Sequence, residues 1–593
     1  MKQFLITLAG VFAGLLLFFV ALPLLLISLL AGSAEPDELP DDTVLVLDLR
    51  GGLSDQTPTN PFSLLGGASL SVMKVVTALR QAEDDDRIKG LMLRLPEGGM
   101  APAAAEELRL AVKSFQQRGG KRVVAHSQGL YPSGVVTSTY MLGAAADEFW
   151  MQDTASFQVT GLSNEELFLR GFFDRFGVVP DYQQRYEFKN AANPYLYSGF
   201  TPEHRTATLS WMTSIYESAI AQAALDRRKT PQVIRAALES GPLSAAQAKA
   251  AGLVDSLGLW EAAEQHLLRR AGDDAESVDF EDYAATVGYD DAGPADPVIA
   301  VVEAEGAILT GEGGEDPFGG AAIYADEISA AIYEAIEDDD VEAIVLRISS
   351  PGGSDTASDQ ILGAVVAAKA ARKPVVVSMG TYAASGGYWI ASKASAIVAH
   401  PSTLTGSIGV LGGKLAVGPA LGRYGLNLES VEVGGAYAGA FDAGEPFNQA
   451  QRVAFSEWMD RIYAGFVTRV AEGRGLRPEQ VQQIARGRVW TGAQARGLGL
   501  VDELGGFYQA VATAKRLAKI DADEEVTLRR LPAEKPFFEA LSELLGVSAS
   551  GARTLGAIAW LLSDPRADAV LDELTEARLR ARGAAVLEGA RVD

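Results

Sequence analysis

Cysteine is absent from this 593-residue chain. That excludes thiolate nucleophiles, thiolate zinc sites and disulfides, and it leaves the redox compartment unmarked. Histidine is scarce, with only His126, His204, His266 and His400. Positive charge is short as well: 51 basic against 77 acidic residues give a net charge of −26. Such a chain repels phosphates, so neither nucleic acid nor an anionic lipid surface suits it as a main partner. Charge of either sign is missing from Phe4 to Leu30. A helix of that length spans roughly 40 Å, enough to cross a bilayer with tilt.

That run is far longer than the roughly 7–15 residues of a signal-peptide core. Residues 1–33 are therefore expected to be a retained transmembrane anchor, although Ala31-Gly32-Ser33-Ala34 offers small residues for a cut. Lys2 precedes the run, and Glu35, Asp37, Glu38, Asp41 and Asp42 follow it. The positive-inside rule then places the N-terminus in the cytoplasm and the body across the membrane.

The remainder is too long for one hydrophobic core, and it is written twice. Glu83-Asp84-Asp85-Asp86 leading to Leu93-Arg94-Leu95 returns as Glu337-Asp338-Asp339-Asp340 leading to Leu346-Arg347-Ile348. Leu243 to Asp255 returns as Trp490 to Asp502. Two matches in one order at near-constant spacing mean tandem homologous domains. Short apolar β-branched runs alternate with helical patterns in each copy, which predicts an α/β fold with largely parallel sheets. The expected repeats are 42–270 and 297–520. An acidic, Gly-rich linker is expected over 271–296, an exposed loop over 305–322, and a helical tail over 521–593.

Two segments of the second copy carry chemistry. Tyr382-Ala383-Ala384-Ser385-Gly386-Gly387-Tyr388-Trp389 puts a hydroxyl at a strand-to-helix turn, and Ser350-Pro351-Gly352-Gly353-Ser354 is a glycine loop one strand–helix unit earlier. A serine there could simply cap a helix. Two glycines directly after a cap, however, cost about 1 kcal/mol each relative to alanine. Close backbone approach to a ligand accounts for that cost. A hydroxyl beside two sets of backbone N–H donors is the minimum for acyl transfer.

The base is the missing part. His126 lies in the wrong copy, His204 and His266 read as solvated, and His400 reads as a loop residue. A buried lysine can serve when its amine is neutral, and Tyr186-Glu187-Phe188-Lys189 offers one. The matching Val431-Glu432-Val433-Gly434 has no amine. The serine shows the opposite asymmetry, with Thr137 or Ser133 facing it in the first copy. The copies have diverged as if sharing one site.

The segments 350–354, 383–389 and Ser402-Thr403-Leu404-Thr405-Gly406-Ser407-Ile408-Gly409-Val410 resemble the signal peptide peptidase SppA family in its long, two-domain bacterial form. The resemblance spans residues 1 to about 520. It implies two ClpP/crotonase-like domains and a serine endopeptidase with a Ser/Lys dyad, using neither metal nor cofactor. Ser385 becomes the nucleophile, Lys189 the general base and Ser407 the hydroxyl that orients the lysine. The N–H groups of Gly353 and Gly386 become the oxyanion hole. The implied substrates are cleaved signal peptides and other unstructured chains. The implied setting is a bacterial inner membrane with the body in the periplasm, as a homotetramer. Phe188-Lys189-Asn190-Ala191 departs mildly from the family's Tyr-Lys-Ser-Ala context. A non-catalytic scaffold or an acyl-CoA enzyme on the same fold are the alternatives, and the nucleophile turn beside Gly406-Ser407-Ile408-Gly409 argues against the latter.

Overall fold

The computed structural model describes residues 39–56, 70–288, 297–313 and 321–532. The expected anchor lies outside them, and among the described residues no helix is long and apolar enough to cross a membrane.

The first sheet holds β1 (Thr43–Asp48), β2 (Ile88–Arg94), β3 (Arg122–Ser127) and β4 (Glu148–Met151). Its neighbour-to-neighbour order is Ser256–Leu257, β4, β3, β2, β1 and Glu276–Asp279, all parallel. The second repeats it with β5 (Val298–Glu305), β6 (Val341–Ser350), β7 (Val375–Ala384) and β8 (Ala396–Ala399), and with Thr527–Leu531 beside β5. Near-continuous Val, Ile, Leu and Ala fill these strands because helices cover both faces. Each repeat buries its own core, one around Leu45, Leu91, Phe115 and Phe149, the other around Val302, Leu346, Val377 and Tyr388.

Strand β7 is long and changes partner along its length. Val376–Met379 pairs with β8, and Tyr382–Ala384 pairs with Leu404–Gly406, which in turn pairs antiparallel with Val489–Thr491. The end of β7 thus stands clear of β8, beside the 404–407 segment.

Three expectations need correction. The stretch expected to be linker includes Glu276–Asp279, a strand on β1, and a helix at Phe280–Thr286. The expected tail likewise begins with Thr527–Leu531, a strand on β5. Both strands sit at sheet edges, where a mostly polar sequence such as Glu276-Ser277-Val278-Asp279 still pairs. Residues from 533 lie outside the described set. Residues 305–322 are not simply an exposed loop: Ala307–Leu309 is buried and pairs with Ala322–Tyr324.

Candidate active site

Ser385 links β7 to a short helix, Gly386–Ala391, with φ 54° and ψ −117°. That positive-φ backbone is costly for a non-glycine residue and typifies a hydroxyl thrust out of a sharp strand-to-helix turn. Its N–H donates to Gly406 O at 2.9 Å, which ties the turn to the 404–407 segment. The side chain makes no capping hydrogen bond, so its position at the helix start is not spent on a cap.

The Oγ instead lies 2.9 Å from Lys189 Nζ. Lys189 comes from the first repeat, 196 residues away, and is 4% exposed. Its Nζ is also 3.0 Å from Ser407 Oγ and 3.1 Å from Ser407 O. Among the described residues it has no carboxylate partner, and burial alone pulls its pKa down to about 7. A neutral amine has two N–H donors and one lone pair. With both donors directed at Ser407, the lone pair faces the Ser385 hydroxyl.

Ser407 is itself held in a left-handed conformation, φ 48°, and is 1% exposed. Its N–H donates to Arg488 O at 2.8 Å. The lysine backbone is fixed from the same segment: Phe188 N donates to Arg486 O, and a Cβ on Gly487 would sit 2.5 Å from Lys189 Cβ. Three segments, 186–189, 385–407 and 486–488, therefore converge on one point.

The glycine loop reaches that point through the strand that the sequence reading missed. Ile308 N donates to Gly352 O, and Ser354 N donates to Ile308 O. In such a parallel bridge the intervening N–H, that of Gly353, points away from Ile308. An ideal Cβ on Gly386 would fall 3.1 Å from Gly353 N, so that donor faces the serine turn. Gly352, at φ 113°, would bring a Cβ within 2.7 Å of Ser385 Cβ, and only glycine fits there. The apolar run Ala307-Ile308-Leu309 was the available signal for this strand.

The four histidines lie elsewhere. His126 is buried, with Nε2 3.1 Å from Gly258 O. His204 is buried beside Glu166, not solvated, because Phe168 and Phe200 pack around it. His266 is half-buried against Glu148. His400 is no surface loop residue: it is fully buried, with Nε2 2.7 Å from Glu107 of the first repeat. That glutamate also pairs with Arg347, and Arg347 with Asp55, in an ionic cluster that joins the repeats.

Comparison with known proteins follows the same duplication. The family model described as "Peptidase family S49" matches residues 116–272 and again 367–521. "Protease 4" of Salmonella typhi is 33% identical, covering 82% of this chain and 80% of that protein. "Protease 4" of Haemophilus influenzae is 32% identical over 87% of this chain and 85% of its own length. "Serine protease SPPA, chloroplastic" of Arabidopsis thaliana is 29% identical, over 86% of this chain and 75% of that one.

Proposed function

The chain belongs to peptidase family S49 and is a serine endopeptidase, and from that premise we propose that Ser385 is its nucleophile and Lys189 its general base. The observation that carries this is the contact of 2.9 Å between a strained serine and a buried amine with a pKa near 7, each supplied by a different repeat.

The neutral amine accepts the Ser385 proton as Oγ attacks the scissile carbonyl carbon. The ammonium so formed has three N–H donors, matched by Ser385 Oγ, Ser407 O and Ser407 Oγ. Negative charge gathers on the carbonyl oxygen, where the N–H groups of Gly353 and Gly386 receive it. Collapse breaks the C–N bond, and the ammonium returns its proton to the leaving amine. Water, deprotonated by the same amine, then releases the acyl group.

Because the active form is the deprotonated lysine, kcat/KM should rise with pH and reach half its maximum near pH 7. A profile already flat at pH 6, or one still climbing through pH 10, would count against Lys189 as the base. The measurement is hydrolysis of an uncharged fluorogenic peptide from pH 5 to 10.

The finer readings belong to the same proposal. Each repeat is ClpP/crotonase-like, which its parallel sheet and strand-end site support. The substrates are cleaved signal peptides, and the uncharged run Phe4–Leu30 anchors a periplasmic body in a bacterial inner membrane. Protease protection of the body in intact spheroplasts would overturn that orientation.

Assembly as a homotetramer has support in the repeat geometry. Within the chain, Val179–Arg185 of the first repeat pairs antiparallel with Val410–Ala416 of the second. The helices starting at Arg170 and Gly418 set the local repeat spacing at 418 − 170 = 248 residues, which places Tyr437 rather than Gly434 opposite Lys189, again without an amine. The counterparts of the paired strands are then 427–433 and 162–168, and neither is a strand here. Leu428, Val431, Val433 and Leu167 among them are exposed, Val431 at 96%. In the first repeat, Trp211 and Ile215 pack on Leu404 and Val489 of the second. Their counterparts 247 residues on, Trp458 and Ile462, line an open cleft of about 500 Å³. Head-to-tail contact with another copy would fill both vacancies. A Val431→Lys, Val433→Lys variant should sediment as smaller species than the parent, and a parent with the mass of one chain overturns the assembly.

A further inference from the structure

We propose that Arg488 is a specificity-determining residue that receives a carboxylate of the substrate peptide. This rests on the dyad reading above, since it places Arg488 beside that site.

The guanidinium is unmatched. Among the described residues no carboxylate lies within ion-pairing distance of it, in a chain where acids outnumber bases 77 to 51. The acid on the adjoining segment, Glu187, is already held by Arg486 at 2.9 Å. Arg488 Nε is buried without a hydrogen-bond partner. Its one polar side-chain contact is a long 3.4 Å approach of a terminal nitrogen to Ser210 Oγ, an oxygen that Gln494 Nε2 also reaches at 3.1 Å. Burial uncompensated by any charge lowers its pKa.

The side chain is nevertheless fixed. Its guanidinium carbon lies 4.1 Å from the ring centre of Trp490 and 5.1 Å from that of Phe188. Contact with two aromatic rings restrains the guanidinium, and its two terminal nitrogens form the fork that could take a carboxylate in two parallel bonds. Half-burial strengthens such a bond relative to open water.

Position ties this cation to the chemistry. Phe188 precedes Lys189, the carbonyl of Arg488 accepts the Ser407 N–H, and Gly487 abuts Lys189. The backbone that carries Arg488 thus borders the dyad, and an extended substrate advances only about 3.3–3.6 Å per residue away from Ser385. The repeats agree: Thr491 corresponds to Ser244, which puts Gly241 opposite Arg488. The copy without the serine also lacks the arginine.

The carboxylate has two possible sources, a free chain end or an acidic side chain. The test uses one fluorogenic peptide in nested lengths, each as C-terminal acid and as C-terminal amide, together with amides carrying Glu or Gln at successive positions. The wild type should favour the carboxylate form by roughly 10- to 100-fold in kcat/KM at one length or position. Arg488→Gln should erase that preference while still cleaving the amides, and Arg488→Lys should keep part of it. A preference for the acid end identifies peptide fragments as the substrate class, and a preference for Glu identifies internal acidic sequences. Equal rates in the wild type, or a preference that survives in Arg488→Gln, overturn the assignment. The wild-type comparison decides even if the variants fold poorly. Wild-type cleavage of the amides, lost on removal of Ser385, leaves the dyad reading intact whichever way Arg488 falls.

Discussion

Ser385→Ala should lower kcat on an extended fluorogenic peptide by a factor of about 10⁴ or more, with the chain still folded. The loss is large because the hydroxyl supplies the bond that forms, and among the described residues the only other hydroxyl bonded to Lys189 Nζ is Ser407 Oγ. The fold should tolerate the change, since the Oγ caps no helix. Alanine does keep the positive φ that serine already adopts, so no new strain enters. The sharper test is additivity. Two groups that act as a unit do not lose independently. Ser385→Ala, a Lys189 variant and the double variant should therefore all fall to about the same residual rate. Multiplying effects would mean that serine and lysine serve separate steps. Gly386→Ala makes a useful contrast. Its Cβ would lie 2.5 Å from Ser358 Oγ and 3.1 Å from Gly353 N, crowding the oxyanion donors while sparing the dyad. Its expected cost is about 10²–10³ in kcat with KM little changed. Circular dichroism on each variant separates a chemical loss from a folding one.

How much of this site could be read from residues alone depended on how local each signal was. Ser385 was legible because a glycine pair after a strand is a local anomaly. Lys189 was not local: Phe188-Lys189-Asn190 resembles any surface turn, and its case rested on the other copy's lack of an amine and on the family resemblance. What buries it is Gly487 and the 404–407 segment, some 220 to 300 residues away, and no pattern near 189 announces them. The parallel sheets followed from apolar runs, yet their edge strands at Glu276–Asp279 and Thr527–Leu531 did not. An edge strand meets water on one side and needs no apolar alternation. His400 was misjudged for a related reason. Pro401 after it reads as a loop, which it is, but the loop is buried by the first repeat through Glu106 and Glu107. Contacts between repeats explain Lys189 and His400, while the edge strands and Ala307–Leu309 pair with distant segments of their own repeat. Their partners are remote in sequence, and a periodicity argument sees only neighbours.

Lys189→Met should be as inactive as Ser385→Ala and yet more stable than the wild type near neutral pH. The two effects share one cause. The amine titrates near 7 in the folded protein and at 10.5 when exposed, because burial disfavours the ammonium form. Between those values the unfolded chain binds more protons than the folded one, so wild-type stability rises with pH from about 7 to 10.5. Below pH 7 both states hold the proton and the full cost of burying it persists. A shift of that size corresponds to about 5 kcal/mol. Methionine has a similar length, no charge and no proton to lose. It forfeits the bonds to Ser407, whose buried hydroxyl and carbonyl then lose a donor at a cost of about 1–3 kcal/mol. A net gain of a few degrees in Tm is expected at pH 6–7. The gain should shrink as pH rises and vanish or reverse toward pH 10.5, where the folded amine is neutral and the unfolded one is losing its proton as well. Thermal melts of both proteins across that range check the sign directly. A variant equally destabilised at every pH would mean that the buried amine carries no such shift, and with it would go the reason that this lysine can act as a base. Activity and stability pull in opposite directions at this residue because only an amine stripped of water is neutral near pH 7, with its lone pair free to take the serine proton.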